Sequence, residues 1–477
     1  NRLSLAKTQD LSAARPDVII YGAWPEDHLG ASLASGDVNG DQITDLVVGA
    51  PLADGPNHTR PDVGEVYVFF GGPTLGARPL RDVNPETPLG PGPDVTIIGW
   101  GGPAKDGAAT ASDQAGTALA VGDVNGDSVS DIVIGAPGVK GPDGRRVSSG
   151  LAATVPAPGG AVYVVYGSRD LTSGTIRDFG AGTPVSSSPM NVDLIIYGQT
   201  LAIQMNGVQI AKVGEQLGRA VTIGDLNGDQ IGDILAGAPY FTAKSEIGQG
   251  AVYAFFGSRT PAVVRDTSAK QPPQGAGPDV VFQGMNPGEL LGSVLAAGDV
   301  SGDGVDDLLI GIPLANGPTR DRTATGAVFI VLGSRELRVG KRDLEKQPAE
   351  IRLIGAQRND GLGFALATED TNDDGVKDLI VSAPAADGPG EMRSGAGEIY
   401  IILGGRLAPG TTLDLAQTPA DITFYGTAKG DQIGFSIALG MVDADRRADI
   451  IVTSPFADGS PDVCRPKAGA TYILLSR

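Results

Sequence analysis

Short apolar runs alternate with polar, glycine-rich breaks along the whole chain, and the same order of runs keeps returning. One unit reads DVIIYG (17–22), LGASLASGD (29–37), DLVVGAP (45–51) and GEVYVFFGG (64–72). Each run has strand length, and each break carries Gly, Pro, Asn or Asp, the residues that turn a chain. No amphipathic helical period of useful length interrupts them. The pattern predicts an all-β chain of brief strands.

The stretch DVNGDQITDLVVGAP (37–51) returns at 123, 225, 299 and 370 and, in decayed form, at 441 as MVDADRRADIIVTSP. A fixed period means a repeat architecture. Lettering the strands a (LGASLASGD), b (DLVVGAP), c (GEVYVFFGG) and d (DVTIIG, 94–99) gives a four-stranded unit. Strand a is rich in Gly, Ala and Ser, which suits a crowded inner position near an axis, and strand c is bulkier. Four-stranded units repeated radially make a β-propeller. The expectation is six four-stranded blades over 1–477 as one domain, with units starting near 29, 115, 217, 291, 362 and 433. A d strand precedes the first a strand and the chain ends on a c strand, so the N-terminal strand is expected to close the ring by pairing with the C-terminal blade. Seven blades are the alternative.

Five copies of the acidic turn have the form DxNxDxxxD, with Ser for Asn in the fourth. Alternate residues of a tight loop can aim oxygens at one centre, and Ca²⁺ takes six to eight hard oxygen ligands. The expected ligands in the first turn are Asp37, Asn39 and Asp41, the main-chain carbonyl of Ile43 and Asp45. In the second they are Asp123, Asn125, Asp127, Val129 and Asp131, and in the third Asp225, Asn227, Asp229, Ile231 and Asp233. The fourth offers Asp299, Ser301, Asp303, Val305 and Asp307, and the fifth Asp370, Asn372, Asp374, Val376 and Asp378. This is not an EF-hand, because the twelfth-position Glu is missing and the flanks are strands. The sixth copy has Met441 at the first ligand position with Arg446 and Arg447 inside the loop, and no calcium is expected there.

Composition narrows the partners. The 477 residues carry a net charge of −20, which argues against nucleic acid, since phosphate binding needs a basic surface. The lone Cys464 cannot make an internal disulfide, and no apolar run reaches the length of a membrane span. The chain starts at Asn1 rather than Met, which suggests a trimmed or mature form.

The opening glycine of strand a, the calcium turn and the GAP at 49–51, 135–137 and 237–239 resemble the FG-GAP repeats of the integrin alpha-subunit β-propeller and its bacterial relatives. The dipeptide before strand a is LG, AG or IG rather than FG, with Phe364 and Phe435 following the glycine instead, and GAP drifts to GIP, SAP and TSP in the last three copies. The resemblance implies calcium between strands a and b on one face and partner binding on the opposite face, through the d-to-a and b-to-c loops. Integrin propellers have seven blades where this chain shows six, and no companion domain is expected within these 477 residues.

The longest loops, 138–159 and 199–215, are candidates for recognition, as are Trp24 and Trp100, which follow d strands. An acidic residue stands three positions before each opening glycine (Asp27, Asp113, Glu215, Glu289, Asp360, Asp431), either as a ring of carboxylates or as local staples for loop amides. Two histidines in separate loops, with no Ser–His–acid set and no GxSxG elbow, argue against an enzyme, although a carboxylate-based polysaccharide-cleaving enzyme is the third reading. The expected protein is a secreted or surface-displayed, non-catalytic, monomeric adhesion propeller. Five calcium ions would stabilise it, and it would bind a protein or, alternatively, a glycan.

Overall fold

The b runs are apolar at almost every position, so they need cover on both faces, and each becomes an inner member of its sheet with a and c on either side. A computed structural model describes residues 18–72, 75, 80–86, 88, 90–101, 112–139, 158–180, 191–205, 208–242, 248–267, 277–319, 322–440, 448–458, 467 and 470–474. Strands a to d of the first blade are Ser32–Gly36, Asp45–Ala50, Glu65–Phe69 and Val95–Ile98, all antiparallel neighbours. The second blade has Ala118–Gly122, Asp131–Ala136, Ala161–Val165 and Leu194–Tyr197. The third has Val221–Gly224, Asp233–Ala238, Ala251–Phe255 and Val280–Gln283. The fourth has Val294–Gly298, Asp307–Ile312, Ala327–Val331 and Ile351–Ile354. The fifth has Leu366–Glu369, Asp378–Ala383, Glu398–Ile402 and Ile422–Tyr425. The sixth contributes Ile437–Gly440, Asp449–Ser454 and Ala470–Leu474. The molecule is a six-bladed, all-β propeller.

Blades one to four carry a fifth strand that the apolar pattern did not reveal. It comes from the c-to-d linker of the following blade and lies parallel to strand d: Thr175–Asp178 on the first blade, Val264–Asp266 on the second, Gly340–Asp343 on the third and Thr412–Asp414 on the fourth. The N-terminal strand Ile19–Tyr21 receives Leu80–Asp82 in the same parallel manner, which puts it in the position of the sixth d strand. Among the described residues no ladder joins it to Ala470–Leu474.

The cores lie between neighbouring sheets. Val66, Val68 and Ile97 of the first blade pack with Ile132, Ile134 and Tyr163 of the second, and equivalent clusters join each later pair. Ile20 and Ala23 pack against a cluster in the first blade that holds Val48, Tyr67 and Phe69. Near the axis the backbones touch. A Cβ on Gly49 would stand 2.4 Å from the carbonyl oxygen of Gly116, and one on Gly135 would stand 2.1 Å from that of Gly218. The glycine of GAP and the glycine opening the next strand a therefore meet, and the opening glycine is further required by its left-handed φ, 88° at Gly116 and 87° at Gly218. Ser382 takes the GAP position in the fifth blade. At the seam between the sixth and first blades Gly30 has open space, and Leu33 is 61% exposed.

Candidate metal centres and the opposite loop face

Each acidic turn joins strand a to strand b, so all of them lie at one end of the strands. In the first, Asp37 Oδ1 accepts the N–H groups of Gly40 (2.7 Å) and Asp41 (3.0 Å), and Oδ2 accepts that of Gln42 (2.8 Å). Asn39 Oδ1 accepts Asp41 N–H at 2.9 Å, and Asp41 Oδ1 accepts Ile43 N–H at 2.8 Å. These bonds hold the side chains of alternate residues inside the turn. The second turn repeats them at Asp123, Asn125 and Asp127, the third at Asp225, Asn227 and Asp229, and the fifth at Asp370, Asn372 and Asp374. In the fourth, Ser301 cannot supply the amide oxygen, and its hydroxyl donates to Asp299 at 3.4 Å. A left-handed residue completes the turn, Gln42, Ser128 or Gln230 in the first three copies and Gly304 or Gly375 in the next two.

The last acid of each turn has a different position. Asp45, Asp131, Asp233, Asp307 and Asp378 are buried, with one oxygen accepting an N–H at the start of the turn and the other an N–H just past strand c. They fasten the turn to the sheet. Burial, opposed by these bonds and reinforced by neighbouring carboxylates, pushes Asp131, Asp233 and Asp307 up to about 7 and raises Asp45. Ile43, Val129, Ile231, Val305 and Val376, whose carbonyls are the expected main-chain ligands, each donate their N–H to the acid two residues earlier. The donors are hard oxygens, and a carboxylate that accepts an N–H keeps further lone pairs, so the donor chemistry fits a hard cation. Among the described residues no three acids already converge as a metal cluster. The sixth turn, 441–447, lies outside the described residues.

The turns also touch one another. Ser130 N–H donates to the carbonyl of Asp37, Gly232 to Asp123, Asp306 to Asp225 and Lys377 to Asp299, at 2.8–3.1 Å. The aliphatic stems of Arg169, Arg259 and Arg335 lie over Gly40, Gly126 and Gly228 of the preceding blade. Among the ion pairs of the described residues, none joins these arginines to a turn carboxylate. Their signal in the chain was GSR, repeated at 167, 257 and 333.

At the other end of the strands, the six acids before the opening glycines are all buried. Five accept an N–H of the d-to-a turn: Asp27 from Trp24, Asp113 from Gly101, Glu215 from Gln199, Asp360 from Gln357 and Asp431 from Ala428. They are staples, not an exposed ring. Arginines of the b-to-c loops pin the same turns: Arg60 donates to the carbonyl of Gly99, Arg322 to that of Gly355 and Arg393 to that of Gly426. Arg322 also pairs with Asp414 of the outer strand at 2.8 Å. The motif A-[DN]-G-P-x₃-R-x₃-G at 53, 315 and 386 was the signal that sequence reasoning missed.

The two tryptophans separate. Trp100 is 4% exposed and belongs to the core between the first and second blades, whereas Trp24 is half-buried and stands edge-on to His58, ring centres 4.5 Å apart. Of the two long loops, 199–215 forms a hairpin, Thr200–Met205 with Val208–Gly214, and 140–157 lies outside the described residues. Phe364, Phe435 and Phe456, each 37–43% exposed, form a chain of ring contacts on the loop face of the last two blades.

A family described as FG-GAP repeat matches residues 29–69, 115–165, 217–255 and 291–331, which run from the opening dipeptide through strand c of the first four blades. Four of the six blades are FG-GAP repeats. The last two blades, which the family does not match, keep the strand order, while Ser382 and Thr453 replace the GAP glycine. Bovine phosphatidylinositol-glycan-specific phospholipase D is 30% identical over 185 residues, 39% of this propeller and 20% of that protein. Integrin alpha pat-2 of Caenorhabditis elegans is 27% identical over 286 residues, 53% of the propeller and 21% of that protein. Integrin alpha-PS2 of Drosophila melanogaster is 36% identical over 129 residues, 26% and 8% of the two chains. The propeller thus spans about a fifth of the length of the first two of these relatives. Among solved structures, the V. cholerae biofilm matrix protein Bap1 aligns over 78% of this chain and 37% of its own, at 15% identity and a TM-score of 0.27. No helix among the described residues is long and apolar enough to cross a membrane.

Proposed function

We propose that this propeller is a calcium-stabilised extracellular recognition module. It holds calcium in the five intact acidic turns, meets a protein partner through the loops at the opposite end of the strands, works as a monomer and catalyses no reaction. The observation that carries the reading is the segregation of chemistry. Five near-identical turns with clustered, like-charged acids occupy one end of the strands, and dissimilar loops with exposed aromatic rings occupy the other. A divalent cation would relieve the repulsion that burial makes costly. Two of the relatives are named integrin alpha subunits, which supports the extracellular setting.

The test is a metal count on purified protein with thermal unfolding in excess calcium and in chelator. Close to five calcium ions per chain are expected, with a clear fall in midpoint on chelation. Each site contributes about 2.7 kcal/mol at a hundredfold excess over its dissociation constant. Asp37→Ala combined with Asp41→Ala should lower the count by one. No bound metal and an unmoved midpoint would reduce the turns to ordinary Asx turns. Release of a glycan-anchored protein by the purified chain would overturn the non-catalytic part.

A further inference from the structure

A cavity of about 570 Å³ lies between the Ile19–Tyr21/Leu80–Asp82 pair and the outer part of the first blade, at the d-to-a and b-to-c loops. The neighbouring seam shows why it exists. There the residue after the d-strand glycine is Trp100, the outer strand runs into Phe179, and the Phe179 ring lies 4.9 Å from that of Tyr163. At the cavity the same three positions hold Ala23, Val83 and Tyr67, so two large side chains are replaced by small ones. The remaining space is lined by Trp24, His58 and Tyr67 together with carboxylates that include Asp27, Asp54 and Glu65, and by no lysine or arginine among the described residues. Glu65 stands where the next three c strands have Ala161, Ala251 and Ala327.

We propose that this cavity binds a cationic group on an aliphatic stem, an ammonium or a guanidinium. The stem fits the apolar wall of Ala53, Val83 and Ile98, and the charge meets the carboxylates and the Trp24 ring, an arrangement that attracts cations strongly once water is excluded. Burial raises the Glu65 carboxyl, against the hydrogen bond it accepts from the Tyr67 hydroxyl and the charge of Arg60, and a cation in the cavity would favour its ionised form. The inference rests on the recognition reading only in taking this loop face as the binding face; it is independent of the metal turns.

The experiment titrates the calcium-loaded protein with agmatine, with a blocked Gly-Arg-Gly peptide and with uncharged pentanol, following tryptophan emission and heat. Saturable binding of a cation, absent with pentanol, is expected. Agmatine alone would indicate a free amine as the natural ligand, and tighter binding of the peptide a partner's side chain. Asp54→Asn and Glu65→Gln should each weaken binding about tenfold, the size of one charge-assisted contact. Both are compatible with the fold. Asn316 holds the Ala324 N–H at 3.0 Å as Asp54 holds that of Asp62, and glutamine at 65 keeps an acceptor for the Tyr67 hydroxyl. No saturable response to either cation, an equal response to pentanol, or unchanged affinity in both folded variants would overturn the proposal. The metal count stands apart from all three outcomes.

Discussion

Glu215 is fully buried and accepts hydrogen bonds from Gln199 N–H (2.9 Å), the Thr267 hydroxyl (2.5 Å) and the Tyr253 hydroxyl (2.7 Å). Burial outweighs these bonds and pushes its carboxyl up to about 7. An acid raised in the folded state holds its proton there while the unfolded chain has lost it. Stability from this group therefore falls as pH rises from about 4.5 to about 7 and is level on either side. The shift corresponds to about 3 kcal/mol as an order of magnitude. Glu215→Gln should remove that slope, which the difference between wild-type and variant urea midpoints across pH 4.5–8 would show; parallel curves would refute it. The chain displayed the regular placement of these acids but not their burial. A position three residues before a glycine looks the same whether its carboxylate faces water or a tyrosine on strand c of its blade.

The b strand and its turn were legible because their chemistry is local. An unbroken apolar run ending in Gly-Ala-Pro and preceded by DxNxD can be read within a dozen residues. The reason for its glycine is not local, since the backbone it meets belongs to the next blade. Gly135→Ala should cost about 1–3 kcal/mol of unfolding free energy, because the added Cβ would lie 2.1 Å from the Gly218 carbonyl oxygen. Gly174→Ala, with open space around its Cβ but a φ of 90°, should show only backbone strain. Equal, small effects in denaturant titrations would remove the contact argument. The fifth strand escaped sequence reading for a related reason. Three or four residues such as Val264–Asp266 carry too little periodicity, and their partner is the d strand of the preceding blade. The repeated Arg-Asp at 81, 177, 265 and 342 was the available clue. Arg265 pairs with Asp279, the acid before the next d strand, at 2.9 Å, and Arg342 likewise with Glu350 at 2.8 Å.

Across the described residues the first five acidic turns are linked, each of the first four accepting through its first carbonyl an N–H of the next. Calcium held in one turn should therefore steady its neighbour. On chelation, hydrogen exchange should accelerate at Ser130, Gly232, Asp306 and Lys377, the amides that dock on the preceding turn, as well as inside the turns. Acceleration confined to the turns' own amides would show the blades to be independent in this respect. The sequence by itself determined what depends on neighbours along the chain: strand-length runs, turn residues, the number of units and the acids of each turn. Tertiary structure decided what depends on the next blade. It buried Trp100 while leaving Trp24 half-exposed beside a cavity, and it turned six regular acids into staples and added the outer strands. Repeats share their local pattern, but each side chain's surroundings come from the adjoining unit, where a change such as Trp100 to Ala23 or Phe179 to Val83 opens space that neither unit's own sequence displays.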